Sequence, residues 1–387
     1  LARREASDLL PDVDGIITSN RIFGPGPDPR RLEWGLDAFY QIDLWGQILS
    51  RVEAERFRAE ATLADYHAVA LSLAAEVART WFSLIEAHAQ LDLLMEQTAT
   101  NRAGLVAKEL LFGRGFLTSA DVLRQRQLVQ STLEQEVVVQ ARIEVLEHQL
   151  AVLLGQLPQE ARYNPGAELP ALPPPPATGL PSELLMRRPD VRRDYLAFVA
   201  ADRDLASAIS AQYPRFSLTA SLLNIAESPE MSFRNWYLSI GSQLIAPLVD
   251  GGQRRAEVDR TAPVVAERFN EYGQTMLIAF REVEDNLALE RYQRQRIERL
   301  DDQVRLAQLA SSQLRERYPL GDAEYLDVLS AIQSQQSLQR EPLSARLELI
   351  LIRIGLYLAL AGDFDTQPQN FANVPSDLPP LPTDVPE

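Results

Sequence analysis

Alternation of apolar and polar residues marks four short segments of the chain as β-strands. The clearest run covers residues 32–44, where Leu32, Trp34 and Leu36 begin an apolar series that alternates mainly with acidic and other polar residues. A period of two is typical of a strand with one apolar face. The sequence predicts strands at about 12–23, 32–45, 214–225 and 235–248. Gly- and Pro-containing segments at 24–30 and 227–230 are predicted to be the hairpin loops.

Long segments between these strands carry apolar residues at steps of three and four, a pattern typical of coiled-coil helices. From Gly252 to Tyr318 only Pro263 interrupts the pattern, and a helix of this length would extend roughly 100 Å. Predicted helices cover about 47–111, 119–154, 191–212, 252–318 and 323–360.

The chain contains an internal repeat with an offset of 206 residues. The motif Gly-x5-Asp-Val-Leu begins at Gly115 and again at Gly321, and the same offset joins further identical residues over about ninety positions. We therefore expect two structural repeats, at 1–155 and 190–362. Pro-rich segments at 156–189 and 363–387 are predicted to be irregular connections.

The two repeats differ at their beginnings. The second has a predicted helix before Pro214, whereas only ten residues precede its counterpart, Pro11. We expect the native chain to extend further upstream.

Composition excludes several classes of function. The 387 residues carry a formal net charge of −16, with no Cys and three isolated His. These values argue against disulfides, cysteine metal sites and nucleic-acid binding. Gly251 and Gly252 lack the Lys-Ser/Thr of a phosphate loop. The sequence thus predicts neither an enzyme nor a cofactor.

The polar face of the predicted strands distinguishes a membrane barrel from a soluble sandwich. No run approaches about 20 uninterrupted apolar residues, and the longest candidate, 347–361, is broken by Glu348 and Arg353. In the 32–44 strand, however, one face is apolar and the other carries acidic residues, which suits lipid on one side and a lumen on the other. Four strands do not close a barrel, so the strands would be shared among chains.

Several motifs together resemble the TolC-type outer membrane factors, in particular the NodT-like outer membrane efflux lipoproteins of resistance–nodulation–division pumps. The resemblance covers nearly the whole chain. It rests on the segments at 179–192, 213–220, 247–254, 279–287, 318–321 and 325–329.

This resemblance implies a mainly helical fold with a β-barrel portion. Three chains would form a homotrimer whose twelve strands close one barrel in outer membrane lipid of a Gram-negative bacterium, above a coiled-coil tunnel in the periplasm. The Pro-rich segments would surround its middle. The family acts as the exit duct of tripartite efflux pumps, with a periplasmic adaptor and an inner-membrane transporter as partners. Some members are lipoproteins, but their acylated Cys is not in this sequence.

The resemblance also implies a gate at the periplasmic end of the tunnel. Its constriction maps to Leu326, Asp327 and Ser330, where threefold symmetry would turn Asp327 into a ring of carboxylates that attracts cations. Ser330 stands where relatives often have a second Asp.

Further residues are expected to support this gate. Tyr318 is a candidate for holding the closed state, with partners Asp121 and Arg124. The turn glycines are Gly115 and Gly321, and the hinges between barrel and helices are Gly46, Gly251 and Gly252.

Alternative interpretations remain for these residues and for the chain. Asp121 and Asp327 also suit the positive end of a helix dipole, and Tyr318 suits ordinary packing. The alternative function is a soluble coiled-coil scaffold or periplasmic adaptor.

Overall fold

The computed structural model describes residues 2–21, 30–158, 162–166, 168–174, 187–226 and 233–360. Most of both predicted hairpin loops, much of the Pro-rich linker and the Pro-rich segment 363–387 lie outside the described residues. The elements, in chain order, are α1 (Ala2–Ser7), β1 (Asp12–Arg21), β2 (Arg30–Ile42), α2 (Gln47–Gly113), α3 (Ser119–Leu153), α4 (Pro189–Ser210), β3 (Arg215–Ala226), β4 (Trp236–Ile245), α5 (Gln253–Arg317) and α6 (Tyr325–Leu360).

Two strands end earlier than the alternation predicts. β2 stops at Ile42 because the chain turns, with the Leu44 amide donating to the Ile42 carbonyl at 3.0 Å. Asp43 then accepts a hydrogen bond from the Leu49 amide at 2.8 Å, which satisfies one of the free N–H groups in the first turn of α2. β4 ends at Ile245, two residues before Pro247, which has no N–H to donate to a sheet.

The four strands form one antiparallel sheet in the order β1-β2-β3-β4. The inner pair, β2 with β3, joins residues far apart in sequence, and Leu36 lies opposite Leu222. β1 and β4 are the two edges of the sheet. In the described part of the chain, neither edge has a second strand paired to its outer side.

By their contacts the residues group into two compact units, 1–68 with 172–296 and 69–171 with 297–387. Each unit therefore combines segments from both halves of the sequence. The first contains the sheet and α4, and the second contains α3 and α6.

In the first unit, α4 packs on α5 through paired aromatic rings. Phe198 lies 5.5 Å from Phe269, and Tyr195 lies 5.6 Å from Tyr272, between ring centroids. α4 begins with Pro189 at a position where the missing N–H costs nothing.

In the second unit, a core of Leu84, Ala87, Ile143 and Leu150 packs α2 against α3.

α2 also contains an 18-residue window with at most two charged residues. Judged by length and composition alone, this window is apolar enough to cross a membrane. Only 17% of that window is buried, so much of its apolar surface is exposed in the single chain.

Candidate functional site

The turns between paired helices place both predicted turn glycines in the left-handed region. Gly115 has φ 77° and Gly321 has φ 82°, values that favour glycine over any residue with a Cβ. The Gly321 amide donates to the Tyr318 carbonyl at 3.1 Å. No neighbouring atom lies within 4 Å of a Cβ built at either glycine, so the requirement is one of backbone conformation and not of space.

The predicted constriction residues share one face of α6. Leu326, Asp327 and Ser330 are all exposed, whereas Tyr325 and Leu329 of the same helix are buried. The buried face packs on Leu128 of α3. The single chain thus leaves the three candidates free to face another surface or a lumen.

Tyr318 lies in a cluster of two tyrosines and a lysine. Its ring centroid lies 5.9 Å from that of Tyr325, and the Lys108 Nζ atom of α2 lies 4.3 Å from each ring centroid. Burial lowers the pKa of Lys108, an effect that the negative charge of Asp121 partly opposes. Burial and the charge of Asp121 raise the pKa of Tyr318, and they raise the pKa of Tyr325 to about 12.

Asp121 has a local structural role at the start of α3. It forms a reciprocal capping box with Thr118, in which the Thr118 amide donates to the Asp121 carboxylate at 3.1 Å and the Asp121 amide donates to the Thr118 hydroxyl oxygen at 3.4 Å. The Thr118 hydroxyl also donates to the same carboxylate at 2.7 Å. Arg124 lies 3.5 Å from the same carboxylate. The structure therefore joins Asp121 and Arg124 to each other, and Asp121 acts on Tyr318 through its charge.

The predicted hinge glycines follow the strands. Gly46, Gly251 and Gly252 have φ values of 71°, 64° and 86°, and they precede α2 and α5. Asp250 accepts hydrogen bonds from the Gly252 amide at 3.0 Å and from the Arg254 guanidinium at 2.9 Å, which fixes the first turn of α5.

The sheet has one apolar face and one polar face. The register places Leu36, Leu222 and Leu238 in one row, and Leu238 is 69% exposed. On the other face Asp37 accepts a hydrogen bond from the Ser221 hydroxyl at 2.6 Å. An exposed apolar face opposite a polar one is the arrangement of lipid-facing strands.

Aromatic side chains lie at both ends of this sheet. Trp34 packs edge-on against Phe233 at 4.8 Å and Trp236 at 4.9 Å. At the other end Trp45 stacks on Tyr213 at 5.1 Å, and its indole N–H donates to the Pro214 carbonyl at 2.8 Å. Belts of Trp and Tyr are typical of membrane–water interfaces.

A sheet with an exposed apolar face and aromatic ends, joined to helices of 67 and 65 residues, defines a membrane protein with a long helical part outside the bilayer. The outer membrane efflux protein family model matches residues 3–156 and 180–362. The chain belongs to this family.

Relatives and solved structures agree with this assignment. The chain is 29% identical over 346 residues to the pyoverdine export outer membrane protein OpmQ of Pseudomonas aeruginosa, covering 87% of this chain and 71% of OpmQ. It is 29% identical over 375 residues to the toluene efflux pump outer membrane protein TtgI of Pseudomonas putida, covering 94% of this chain and 79% of TtgI. It is similar in structure to the outer-membrane channel OprN, with a TM-score of 0.89 and 26% sequence identity. The match covers 93% of this chain and 83% of the OprN chain.

The protein is therefore an outer membrane component of an efflux system and serves as the exit duct of a tripartite pump. Membership of this family confirms the predicted outer membrane location, the predicted fold class and the predicted channel function. The described residues contain no group of three or more His, Cys, Asp or Glu side chains that could hold a metal ion.

Sequence reasoning missed one residue of the tyrosine cluster at the turn before α6, Lys108. A signal was available, because Lys108 is the only lysine in the sequence. Its ring contacts, however, depend on how α2 meets the turn at Tyr318, which no local pattern specifies.

Proposed function

We propose that three copies of this chain form a gated duct, with a shared twelve-stranded barrel in the outer membrane and a helical tunnel in the periplasm. The observation that carries the proposal is the four-stranded sheet with β1 and β4 as edges and an exposed apolar face. Twelve strands close a barrel that four do not. Strands of 10 to 13 residues are long enough to cross a bilayer when tilted.

Exposed apolar residues on the helices support the same assembly. Val69, Leu73 and Trp81 of α2 are all exposed in the single chain. Contacts with neighbouring copies would cover this surface, because large exposed apolar patches are typical of interfaces. A soluble scaffold or adaptor, the alternative function, offers no role for the apolar face of the sheet.

The proposed gate lies at the start of α6. Leu326, Asp327 and Ser330 are exposed together, and threefold symmetry would gather three copies of Asp327 into one acidic ring. Such a ring attracts cations and resists anions. Leu326 would add an apolar ring one residue earlier. Tyr318 would hold the closed state from the adjacent turn.

We also propose that the chain is a duplication, with repeats at 1–155 and 190–362. The 206-residue offset carries α2 onto α5 and α3 onto α6 with starts that coincide. It pairs Gly46 with Gly252 and Gly115 with Gly321, and all four have positive φ.

Partners and cargo follow from the pump assignment. A periplasmic adaptor and an inner-membrane resistance–nodulation–division transporter would complete the machine, and membership of the NodT-like lipoprotein branch would add an acylated N-terminus. The names of the relatives mention pyoverdine and toluene. We infer that cargo is chosen upstream of the duct.

The first test is the mass of the detergent-extracted protein by light scattering. A trimer of 43.4 kDa chains, about 130 kDa, recovered from the outer membrane supports the shared barrel. A soluble monomer or dimer contradicts it.

The gate is tested separately by Asp327→Ala, which we expect to raise single-channel conductance and weaken block by multivalent cations. Glu324→Ala, at an exposed position one turn earlier, is the matched control.

A further inference from the structure

Lys108 is the only lysine among 38 basic residues, and the other 37 are arginines. Its position is specific. The Lys108 Nζ atom lies 4.3 Å from the ring centroids of both Tyr318 and Tyr325, and those rings are tilted by 52° to each other. The ammonium group thus contacts the faces of two aromatic rings at once.

This arrangement connects separate parts of the second compact unit. Lys108 lies near the end of α2, Tyr318 lies in the turn after α5, and Tyr325 opens α6. An ammonium ion within about 6 Å of a ring centroid is attracted to the ring quadrupole. A compact ammonium fits between two rings where a planar guanidinium would stack on only one.

The surroundings favour this interaction over a simple ion pair. Asp121 is held in its capping box by Thr118 and lies 3.5 Å from Arg124. Its charge reaches Lys108, but burial is the larger influence and lowers the pKa of the ammonium. A partly dehydrated cation interacts more strongly with aromatic faces than a hydrated one.

We propose that Lys108 is the latch of the closed gate, holding the Tyr318–Gly321 turn to α2 through the faces of both tyrosine rings. This inference rests on the proposed gated duct. The latch fixes the start of α6, and with it the exposed Leu326 and Asp327. The Tyr325 hydroxyl donates to Gln125 of α3 at 2.7 Å, whereas the contacts with Lys108 are made by the faces of the two rings. The ring of Tyr318 and the charge of Lys108 are therefore the required parts of the latch.

Single-channel recording of the full chain tests the latch. We expect Lys108→Met and Tyr318→Leu to raise the open probability several-fold, while Lys108→Arg, which keeps one stacked cation, causes a smaller increase. Tyr318→Phe keeps the ring and should behave as the wild type. Wild-type gating in Lys108→Met overturns the latch, as does a Tyr318→Phe channel as open as Tyr318→Leu.

Chemical modification of the folded channel avoids any folding defect of the variants. Acetylation removes the ammonium charge and reductive methylation keeps it, and Lys108 is the only side-chain amine in the sequence. We expect acetylation, but not methylation, to open the channel. The Lys108→Arg variant controls for reaction at the amino terminus. Equal effects of the two reagents would overturn the role of charge.

Failure of the latch and failure of the duct give different results. Carbon-13 methyl groups on Lys108 should show an upfield ring-current shift that Tyr318→Leu removes, whether or not the protein conducts. If that shift is absent, the latch is wrong. If Asp327→Ala changes conductance and Lys108→Met does not, the duct stands and the latch falls. If no variant conducts, the proposed duct fails, and the gate role of Lys108 fails with it.

Discussion

The side-chain amides of Asn101 and Gln336 hydrogen-bond each other twice. Asn101 Nδ2 donates to Gln336 Oε1 at 3.2 Å, and Gln336 Nε2 donates to Asn101 Oδ1 at 2.9 Å. Both side chains are buried, with 3% and 8% of their surface exposed. Gln125 of α3 extends the network. Its side-chain amide donates to the backbone carbonyl of Asn101 at 2.9 Å, and its side-chain oxygen accepts from the Tyr325 hydroxyl at 2.7 Å. Paired amides therefore hold α2, α3 and α6 together.

Asn101→Leu should lower the free energy of unfolding by about 1–3 kcal/mol, because it leaves the buried amide of Gln336 without its partner. The double variant Asn101→Leu/Gln336→Leu should recover part of that loss, since it removes both amides. Denaturant unfolding of the four proteins completes a double-mutant cycle. Additive losses would show that the pair is not coupled.

Leu238→Arg should impair membrane insertion by about 2–4 kcal/mol if the residue lies near the bilayer midplane. Ser239→Arg, the next residue on the opposite face of the same strand, is the control and should insert normally. Outer membrane yield and folding into lipid vesicles measure the difference. Equal yields from the two variants would show that the assignment of the sheet faces is wrong.

Gly35→Ala should prevent correct pairing of β2 with β3. A Cβ at Gly35 would lie 2.0 Å from the Leu222 carbonyl oxygen, which is backbone and cannot rotate away. Gly15→Ala is the matched control on β1, because a Cβ there meets nothing within 4 Å. Heat-modifiable mobility on gels reports the folded barrel. A folded Gly35→Ala protein of wild-type stability would contradict the close approach.

Asp190 should make stability depend on acidic pH. Burial alone would raise the pKa of the Asp190 carboxyl. Hydrogen bonds that the Arg188 guanidinium donates at 2.7 and 3.0 Å lower it by more, so the pKa lies below the ordinary 3.8. A carboxyl whose pKa is lower in the folded than in the unfolded protein stabilises the fold at pH values above the unfolded pKa. This stabilisation is lost as the pH falls through the native pKa.

The urea midpoint should therefore fall as the pH drops below about 4, and less so in Asp190→Asn. Asp285→Asn removes an exposed carboxylate 3.8 Å from Arg281 and serves as the control. If Asp190→Asn and the wild type lose stability in parallel across this range, the ion pair with Arg188 does not account for the acid sensitivity.

The sheet and the long helices were predictable because their environments are periodic. Leu36 and Asp37 face opposite media, so alternation along β2 records directly which side each residue occupies. The helices were equally clear, since only two prolines, Pro263 and Pro342, fall inside α5 and α6. Strand ends were less clear because the Leu44 turn depends on a local hydrogen bond.

The polar contacts among α2, α3 and α6 were not predictable in the same way. Asn101 and Gln336 look like solvated coiled-coil positions, and only the packing of helices from both halves of the chain brings them together. Lys108 gives no hint from its neighbours in sequence that two tyrosines lie more than 200 positions further along. Periodicity identifies a face of a helix but does not identify the residue opposite it.

The β2–β3 pairing delays folding until most of the chain is available. β2 is complete at Ile42, but its partner begins at Arg215, so about 170 residues must leave the inner-membrane secretion pore before the two strands meet. Contacts between distant residues form slowly because a long loop must close first. Apolar strands waiting unpaired are prone to aggregation. The topology thus leaves the first hairpin without its partner strands during the interval between the synthesis of the first and second hairpins.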